Sequence, residues 1–166
     1  MALKNLILDM GNVLLTWEPL VFALRAAGNE QDARILHHAL FNTAEWHLHD
    51  AGQLTEEELL QISLLRTPLH LQGRLTTLFE QWPRWMAPIP GSDPLMIKAR
   101  EAGLRLYLLS NAGTRFPKVL EERDFYPWFD GMMVSAHEKV SNPDLRIYRR
   151  LCERFDLNPG ECLFVD

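Results

Sequence analysis

Cysteine is scarce and an excess of positive charge is missing from this sequence of 166 residues. The two cysteines, Cys152 and Cys162, are too few for a disulfide framework, and their spacing matches no common metal-binding motif. Asp and Glu (22) outnumber Lys and Arg (17), which gives a net charge of −5 and leaves no basic patch for nucleic acid or an anionic membrane. We therefore expect the partner to be a small molecule.

A long apolar run is also missing. The N-terminal run is short, is interrupted by Asp9 and lacks a small-residue cleavage site, so it is neither a signal peptide nor a membrane span. With 47% hydrophobic and 10% aromatic residues, the chain can build one globular domain with a modest insertion. We expect a cytoplasmic monomer or homodimer that binds neither nucleic acid nor membrane.

One apolar stretch, Leu6–Leu15, contains a single acidic residue. Its first residues have the length of a buried parallel strand, and Asp9 stands where that strand ends. Burial of an unpaired carboxylate costs several kcal/mol, and ligand sites in open parallel sheets lie beyond the carboxyl ends of the strands. Asp9 is therefore either a nucleophile or metal ligand, or a turn residue whose side chain lies in water.

Residues 17–90 carry helical patterns and no strand pattern. Apolar spacing, capping residues and Gly or Pro breaks predict helices over Leu20–Ala27, Glu30 to about His49, Thr55 to about Arg66, and Pro68 to about Gln81. Four helices between two strands make a subdomain of the size of a lid. Trp46 is the first candidate to roof a pocket there, while His47 and His49 point away from each other on a helix, which argues against a shared metal.

From Ser92 onward, helix and strand patterns alternate, which is typical of a doubly wound parallel α/β sheet. Strands are predicted at Leu104–Leu109, Gly131–Ser135 and Cys162–Asp166, with helices at Asp93–Ala102, Thr114–Arg123 and Pro143–Phe155. Because parallel strands end at one edge of a sheet, Asp9, Ser110-Asn111 and Asp166 should meet there. Two neighbouring carboxylates repel unless a divalent cation joins them, and oxygen ligands suit Mg²⁺.

Four short motifs stand in order along the chain: Asp9-Met10-Gly11-Asn12-Val13; Leu106–Asn111; Val134-Ser135 with Asn142-Pro143-Asp144 and Ile147-Tyr148; and Cys162–Asp166. Together they resemble motifs I to IV of the haloacid dehalogenase-like hydrolases, the first in the Asp-x-Gly-Asn-Val form of small bacterial sugar-phosphate phosphatases. The resemblance covers nearly the whole chain and implies a Rossmann-like parallel-sheet core with an inserted small helical cap. On this division residues 1–16 and 91–166 form the core, and residues 17–90 form the cap. The core is expected to be truncated at Asp166, where the family continues with a further strand and helix.

The resemblance also implies a Mg²⁺-dependent phosphatase acting on a small phosphorylated metabolite. In the family, the first aspartate attacks phosphorus to form a phosphoaspartate that water then hydrolyses, so Asp9 is the expected nucleophile. The expected metal ligands are Asp9, the Gly11 carbonyl and Asp166. Ser110 and Asn111 match the pair that grips the phosphate.

Two positions depart from the family pattern. Position 11 usually carries an aspartate that acts as general acid and base, a contribution of ~10²–10⁴ in rate. Gly11 has no side chain, a lack that the Asp-x-Gly-Asn-Val subgroup shares. Asn142 stands where the family places a lysine that balances charge around the phosphoryl group, and an amide brings no charge. Lys139 is the nearest replacement, or else a solvated loop residue.

Two alternatives to the phosphatase stay open. A 2-haloacid dehalogenase-type hydrolase uses the same aspartate on a carbon centre, but it also relies on the lysine that Asn142 replaces. A catalytically impaired phosphate-binding or interaction protein would retain the fold without turnover, which Gly11 and Asn142 both favour.

Overall fold

Four parallel strands form the sheet in the computed structural model, which describes residues 2–121 and 126–166. They are β1 (Asn5–Leu8), β2 (Arg105–Ser110), β3 (Gly131–Val134) and β4 (Cys162–Val165), in the spatial order β3-β2-β1-β4. Leu8 is paired with Leu108 on one side and Val165 on the other, so the three strands end at one edge. The predicted α/β class and parallel sheet are confirmed.

Helices inserted between β1 and β2 make up a layer of their own. They are α1 (Pro19–Ala27), α2 (Glu30–Leu40), α3 (Ala44–Asp50), α4 (Glu56–Arg66) and α5 (Gln72–Trp85), with a short 3₁₀ helix at Leu69–Leu71 before the last. The insertion leaves and returns side by side, because Thr16 N–H donates to the Ala87 carbonyl (2.8 Å) and Ile89 N–H donates to the Leu14 carbonyl (2.9 Å). The inserted helices therefore enter and leave at the carboxyl edge of the sheet.

Two predicted boundaries in the insertion are wrong. The expected helix from Glu30 to His49 is two helices, because the Thr43 hydroxyl accepts the Trp46 N–H (3.1 Å) and starts α3 as a new helix. The expected stop at Pro83 is absent, and α5 runs on to Trp85. Proline leaves the carbonyl four residues earlier without its helical donor, and the Arg115 guanidinium donates to that carbonyl, on Phe79.

The remaining helices flank the sheet. They are α6 (Ser92–Glu101), α7 (Phe116–Glu121), α8 (Ser135–Glu138) and α9 (Leu145–Phe155), with short 3₁₀ helices at Tyr126–Trp128 and Pro159–Glu161. The third strand ends at Val134, one residue before its predicted end, because Ser135 begins α8. Residues 122 and 123 of the helix predicted over Thr114–Arg123 lie outside the described residues. Within the described ranges, we find no helix with the length and apolar character of a membrane span.

The period of two along β1 divides the core into two parts. Leu6 and Leu8 belong to a large apolar cluster that includes residues of α6 and the inserted helices. Ile7 belongs to a second cluster with Ile147 and Leu151 of α9. The sheet is thus covered on both faces, as a parallel sheet requires, and only its edges are open to a ligand.

Gly52 gives a direct test of how the insertion contacts the rest of the chain. Its φ is +65°, and a Cβ there would lie 2.1 Å from the Ala136 carbonyl oxygen. We expect Gly52→Ala to lower the free energy of unfolding by about 2–4 kcal/mol, adding a left-handed backbone cost to an overpacking cost. Gly28 is the matched control, since its φ is +79° but nothing lies within 4 Å of a Cβ. Gly28→Ala should cost only about 1 kcal/mol in urea unfolding, and equal losses for the two variants would contradict the close approach at Gly52.

Candidate active site

Asp9 lies at the carboxyl end of β1, in the middle of the sheet. Its backbone N–H donates to the Val165 carbonyl (2.9 Å), which holds the end of β1 against β4. The Ser110 hydroxyl at the end of β2 and the backbone N–H groups of Met10 and Gly11 are near the Asp9 carboxylate and act to lower its pKa. Burial nevertheless raises the pKa of the Asp9 carboxyl, and the negative charge of Asp166 raises it further. The site therefore brings the partly buried carboxylate of Asp9 near a second, exposed carboxylate, that of Asp166.

The chain turns sharply after Asp9. Asn12 adopts the left-handed conformation (φ 57°), which asparagine tolerates better than most residues, and its Oδ1 accepts the Trp17 N–H (2.9 Å). A Cβ at Gly11 would lie 3.9 Å from Asp9 Oδ2 and 3.6 Å from the Trp17 Cβ, which are ordinary contact distances. Gly11 is thus not required by packing, and a side chain there would face Asp9.

A chain of hydrogen bonds links the loops after β2 and β3 to the end of β4. Asn111 is paired with the Asn142 backbone, donating to its carbonyl (2.7 Å) and accepting its N–H (2.8 Å). The Asn142 side chain in turn donates to Asp166 Oδ2 (2.8 Å), and its Oδ1 accepts the Tyr148 hydroxyl. The structure therefore brings Asn111 and Asn142 together with Asp166. Tyr148 of α9 joins them; it belongs to the third motif, although the sequence assigned it no role at the site.

Lys139 is not brought to this site. Its Nζ donates to the Gly52 carbonyl, and the side chain lines a separate small cavity beside Thr55 and Thr114. The backbone at Lys139 is left-handed (φ 57°), which ends α8 and directs the residue toward the insertion. The ammonium group therefore contacts the inserted segment rather than the surroundings of Asp9.

A cavity of about 430 Å³ opens between the carboxyl edge of the sheet and the inserted helices. Its polar side is formed by the ends of β1 and β2 and the loops that follow: Asp9, Gly11, Asn12, Ser110, Asn111 and Gly113. The same cavity is lined by an aromatic wall, which we define as Trp17, Phe41, Trp46 and Trp82. The wall rings contact one another at centroid distances of 4.8–6.4 Å. Trp46 lines the cavity, as the sequence led us to expect. Trp17 was not predicted to line it, because Trp17 precedes the first inserted helix.

The C-terminal end of α3 contributes three titratable residues at the cavity. Asp50 and His47 line it, while His49 is buried with its ring against Gly113. Burial raises the pKa of the Asp50 carboxyl, although His49, His47 and the Gly113 N–H oppose that shift. No motif pointed to Asp50, and the only sequence signal for it was the bend at Asp50-Ala51-Gly52.

The donor set at the sheet edge fits a hard divalent cation. Asp9 and Asp166 are close enough for their charges to interact. Among residues 2–121 and 126–166, no three His, Cys, Asp or Glu side chains are grouped to hold a metal. Mg²⁺ is commonly held by one or two carboxylates, with water and substrate phosphate completing its shell, whereas a structural zinc site needs four protein ligands. A cation between the two carboxylates would also relieve the repulsion that raises the pKa of Asp9.

A parallel α/β sheet with a half-buried carboxylate at the end of its first strand, next to a cavity lined by inserted helices, defines a Rossmann-like α/β architecture. The family model of haloacid dehalogenase-like hydrolases matches residues 3–166, and the chain belongs to that family. The family assignment confirms the resemblance of the four motifs at the level of the superfamily.

Two curated relatives differ in the reaction that their names describe. The sesquiterpene phosphatase astK of Aspergillus oryzae is 27% identical over 169 residues, covering 98% of this chain and 80% of that protein. The (S)-2-haloacid dehalogenase 4A of Burkholderia cepacia is 26% identical over 136 residues, covering 80% of this chain and 57% of that protein. Both are similar in sequence to this chain.

A solved structure supports the fold. A haloacid dehalogenase family enzyme from Bacteroides thetaiotaomicron, crystallised with magnesium and inorganic phosphate, superposes with a TM-score of 0.74 at 20% identity. The match covers 98% of this chain and 84% of that one. At this level of identity the likeness concerns the fold alone.

Proposed function

We propose that this hydrolase is a Mg²⁺-dependent phosphatase that acts on a small phosphorylated metabolite through an aspartyl-phosphate on Asp9. The observation that carries the proposal is Asp9 itself: a half-buried carboxylate at the end of the central strand β1, near Ser110, that opens onto a cavity large enough for a small organic phosphate. The phosphatase name of the Aspergillus relative and the magnesium and phosphate in the Bacteroides crystal support the same reaction.

In this proposal each residue at the carboxyl edge of the sheet has a separate role. Asp9 attacks phosphorus, and Ser110 and Asn111 hold the phosphoryl oxygens during the attack. Asp9, the Gly11 carbonyl and Asp166 would hold Mg²⁺, which supplies charge neutralisation for the approaching anions. The Asn142 amide, bound to Asp166, keeps that carboxylate oriented without adding charge. Water then hydrolyses the phosphoaspartate and restores Asp9.

We further propose that residues 17–90 act as a cap over a core of residues 1–16 and 91–166. The aromatic wall belongs to this segment and lines the same cavity as Asp9 and Ser110. Apolar surface of the substrate would pack on these rings, at roughly 25 cal/mol per Å² buried. A relative that is named for a sesquiterpene substrate is consistent with an apolar organic part, although a sugar phosphate is the class suggested by motif I.

A 2-haloacid dehalogenase is the second candidate, and the Burkholderia relative is the observation that favours it. Such an enzyme relies on the lysine of the third motif, whereas here Asn142 occupies that position and Lys139 is bound to Gly52. The missing lysine counts against a dehalogenase, and the Gly11-Asn12-Val13 form of the first motif is what favours the phosphatase.

The experiment is a direct comparison of the two reactions. The full chain should release phosphate from p-nitrophenyl phosphate and from alkyl phosphates in the presence of Mg²⁺. It should release no chloride from 2-chloropropionate under the same conditions. Chloride release without phosphate release would establish the dehalogenase instead, and neither activity on a broad substrate panel would establish a binding protein.

A further inference from the structure

Position 11 leaves the proposed reaction without a proton donor. When the P–O bond to an aliphatic alcohol breaks, the leaving oxygen needs a proton, and Gly11 has no side chain to supply it. Asp9 cannot do so, because it is the nucleophile. A second acid in the same cavity is therefore required for substrates whose leaving group is a strong base.

We infer that Asp50, at the C-terminal end of α3, is the catalytic acid and base of this site in place of a side chain at position 11. The inference rests on the phosphatase function proposed above. Asp50 lines the same cavity as Asp9 and the aromatic wall, and it comes from the inserted helices. When Asp9 attacks phosphorus in line from the sheet edge, the leaving oxygen departs away from the sheet, and in this proposal Asp50 lies beside that oxygen.

The structure holds Asp50 in place against the loop that follows β2. The backbone N–H of Gly113, two residues after Asn111, is near the Asp50 carboxylate and acts to lower its pKa. Its main-chain carbonyl accepts the Ser135 hydroxyl (2.5 Å), and the Ser135 Oγ in turn accepts the Ala112 N–H (2.9 Å). The phosphate-gripping loop and Asp50 are thus fixed to each other, which is the positioning that proton transfer requires.

The surroundings of Asp50 also favour a proton on it. The side chain is only 17% exposed, and burial raises its pKa toward the range in which a carboxyl group can act as an acid. The nearest basic group on its own helix, His49 Nδ1, lies 3.8 Å from Asp50 Oδ1, beyond hydrogen-bond distance. His47 on the same helix and Arg115 also line the cavity, and the Arg115 guanidinium is paired with Glu56 (2.9 Å).

The proposed reaction consists of two steps. Asp9 forms a bond to phosphorus while the bond from phosphorus to the alcohol oxygen breaks, and that oxygen takes the proton of Asp50. The alcohol leaves, and Asp50 remains as a carboxylate. Water then attacks the phosphoaspartate and gives a proton to Asp50, the bond from phosphorus to Asp9 breaks, and inorganic phosphate leaves. Both carboxyl groups return to their initial states.

This role narrows the substrate class. An acid beside the leaving oxygen matters for phosphomonoesters of aliphatic alcohols, whose alkoxides are poor leaving groups. It matters little for aryl or acyl phosphates, whose leaving groups are stable as anions. The proposed metabolite is accordingly the phosphomonoester of an aliphatic alcohol whose apolar part contacts the aromatic wall.

The test compares kcat/KM for butyl phosphate with kcat/KM for p-nitrophenyl phosphate. This constant reports the steps up to departure of the alcohol and does not depend on the later hydrolysis of the phosphoaspartate. Asp50→Asn should lower kcat/KM for butyl phosphate by about 10²–10³-fold and for p-nitrophenyl phosphate far less. The ratio of the two values is independent of the fraction of protein that is folded, so partial unfolding of the variant cannot imitate the result. Asp50→Glu should recover most of the ratio, because it restores the acid.

A second variant tests whether an acid at position 11 can replace Asp50. Because a side chain at position 11 meets only ordinary contacts, the double variant Asp50→Asn/Gly11→Asp should regain at least about tenfold in the butyl phosphate rate. Equal losses on both substrates, or no loss on either, would overturn the role of Asp50 while leaving the phosphatase intact. If the unaltered protein with Mg²⁺ hydrolyses neither substrate, the proposed function itself fails and the role of Asp50 fails with it.

Discussion

Asp9→Asn is expected to abolish phosphatase turnover, by about 10⁴-fold or more, without loss of stability. Removal of the nucleophile lowers the rate of turnover more than removal of any positioning contact does, because the covalent pathway is lost with it. Stability should be unchanged or improved at neutral pH, since burial and Asp166 both oppose ionisation of Asp9 and an amide carries no charge. Because the pKa of Asp9 is raised in the folded state, the stability advantage of the Asp9→Asn variant over the unaltered protein should shrink as pH falls through that pKa.

Three measurements check this result: steady-state turnover, urea unfolding at neutral and acidic pH, and the mass of protein trapped with a slow substrate. The trapped mass should show one added phosphoryl group in the unaltered protein and none in Asp9→Asn. Asp93→Asn is the matched control, because Asp93 is an exposed acid in the first turn of α6. Retained turnover in Asp9→Asn would end the proposal of a phosphoaspartate, and a large loss in Asp93→Asn would show that general charge is responsible.

Removal of Mg²⁺ is expected to have the second large effect. Metal stabilisation of phosphoryl transfer contributes several kcal/mol, so chelation with EDTA should lower turnover by about 10²–10³-fold, and added Mg²⁺ should restore it. Asp166→Asn should raise the Mg²⁺ concentration needed for half-maximal turnover, because one of two carboxylates in the donor set is lost. Its Asn142 partner can still donate to the remaining side-chain oxygen, so the fold should survive.

A binding measurement separates this effect from activity. Mg²⁺ should raise the thermal unfolding temperature of the unaltered protein, because a ligand that binds only the folded state stabilises it. The shift should be smaller in Asp166→Asn and unchanged in Asp93→Asn. Turnover that persists in EDTA, together with no thermal shift, would exclude Asp9, Gly11 and Asp166 as a functional metal site.

Local pattern accounts for the sheet and for the residues at its carboxyl edge. The apolar runs around Leu8, Leu108 and Val165 have strand length, and the helical segments between them allow only parallel pairing with right-handed crossovers. Since such strands end at one edge, the meeting of Asp9 and Ser110 near Asp166 followed from the sequence alone. These features depend on neighbours in the chain and on one general rule of topology.

Helix boundaries in the insertion could be predicted only in part. Pro83 was expected to stop α5, but the carbonyl that it leaves without a helical donor belongs to Phe79, and Arg115 donates to it. Arg115 is 36 residues away in sequence, so no local signal could reveal the contact. Thr43, by contrast, caps α3 through a local hydrogen bond. The apolar periodicity continues across Thr43 and therefore indicated a single helix.

The sequence by itself determined the family, the order of the strands along the chain and the position of Asp9 at the end of the first strand. The tertiary structure decided which residues face that acid: Asp50 and Trp46 through the placement of the inserted helices, and Asn142 through its contact with Asp166. It also decided that Lys139 contacts Gly52 instead. The physical reason is that a strand end is fixed by the periodicity of its own residues, whereas the direction of a side chain from an inserted helix depends on packing between segments that are distant in the chain.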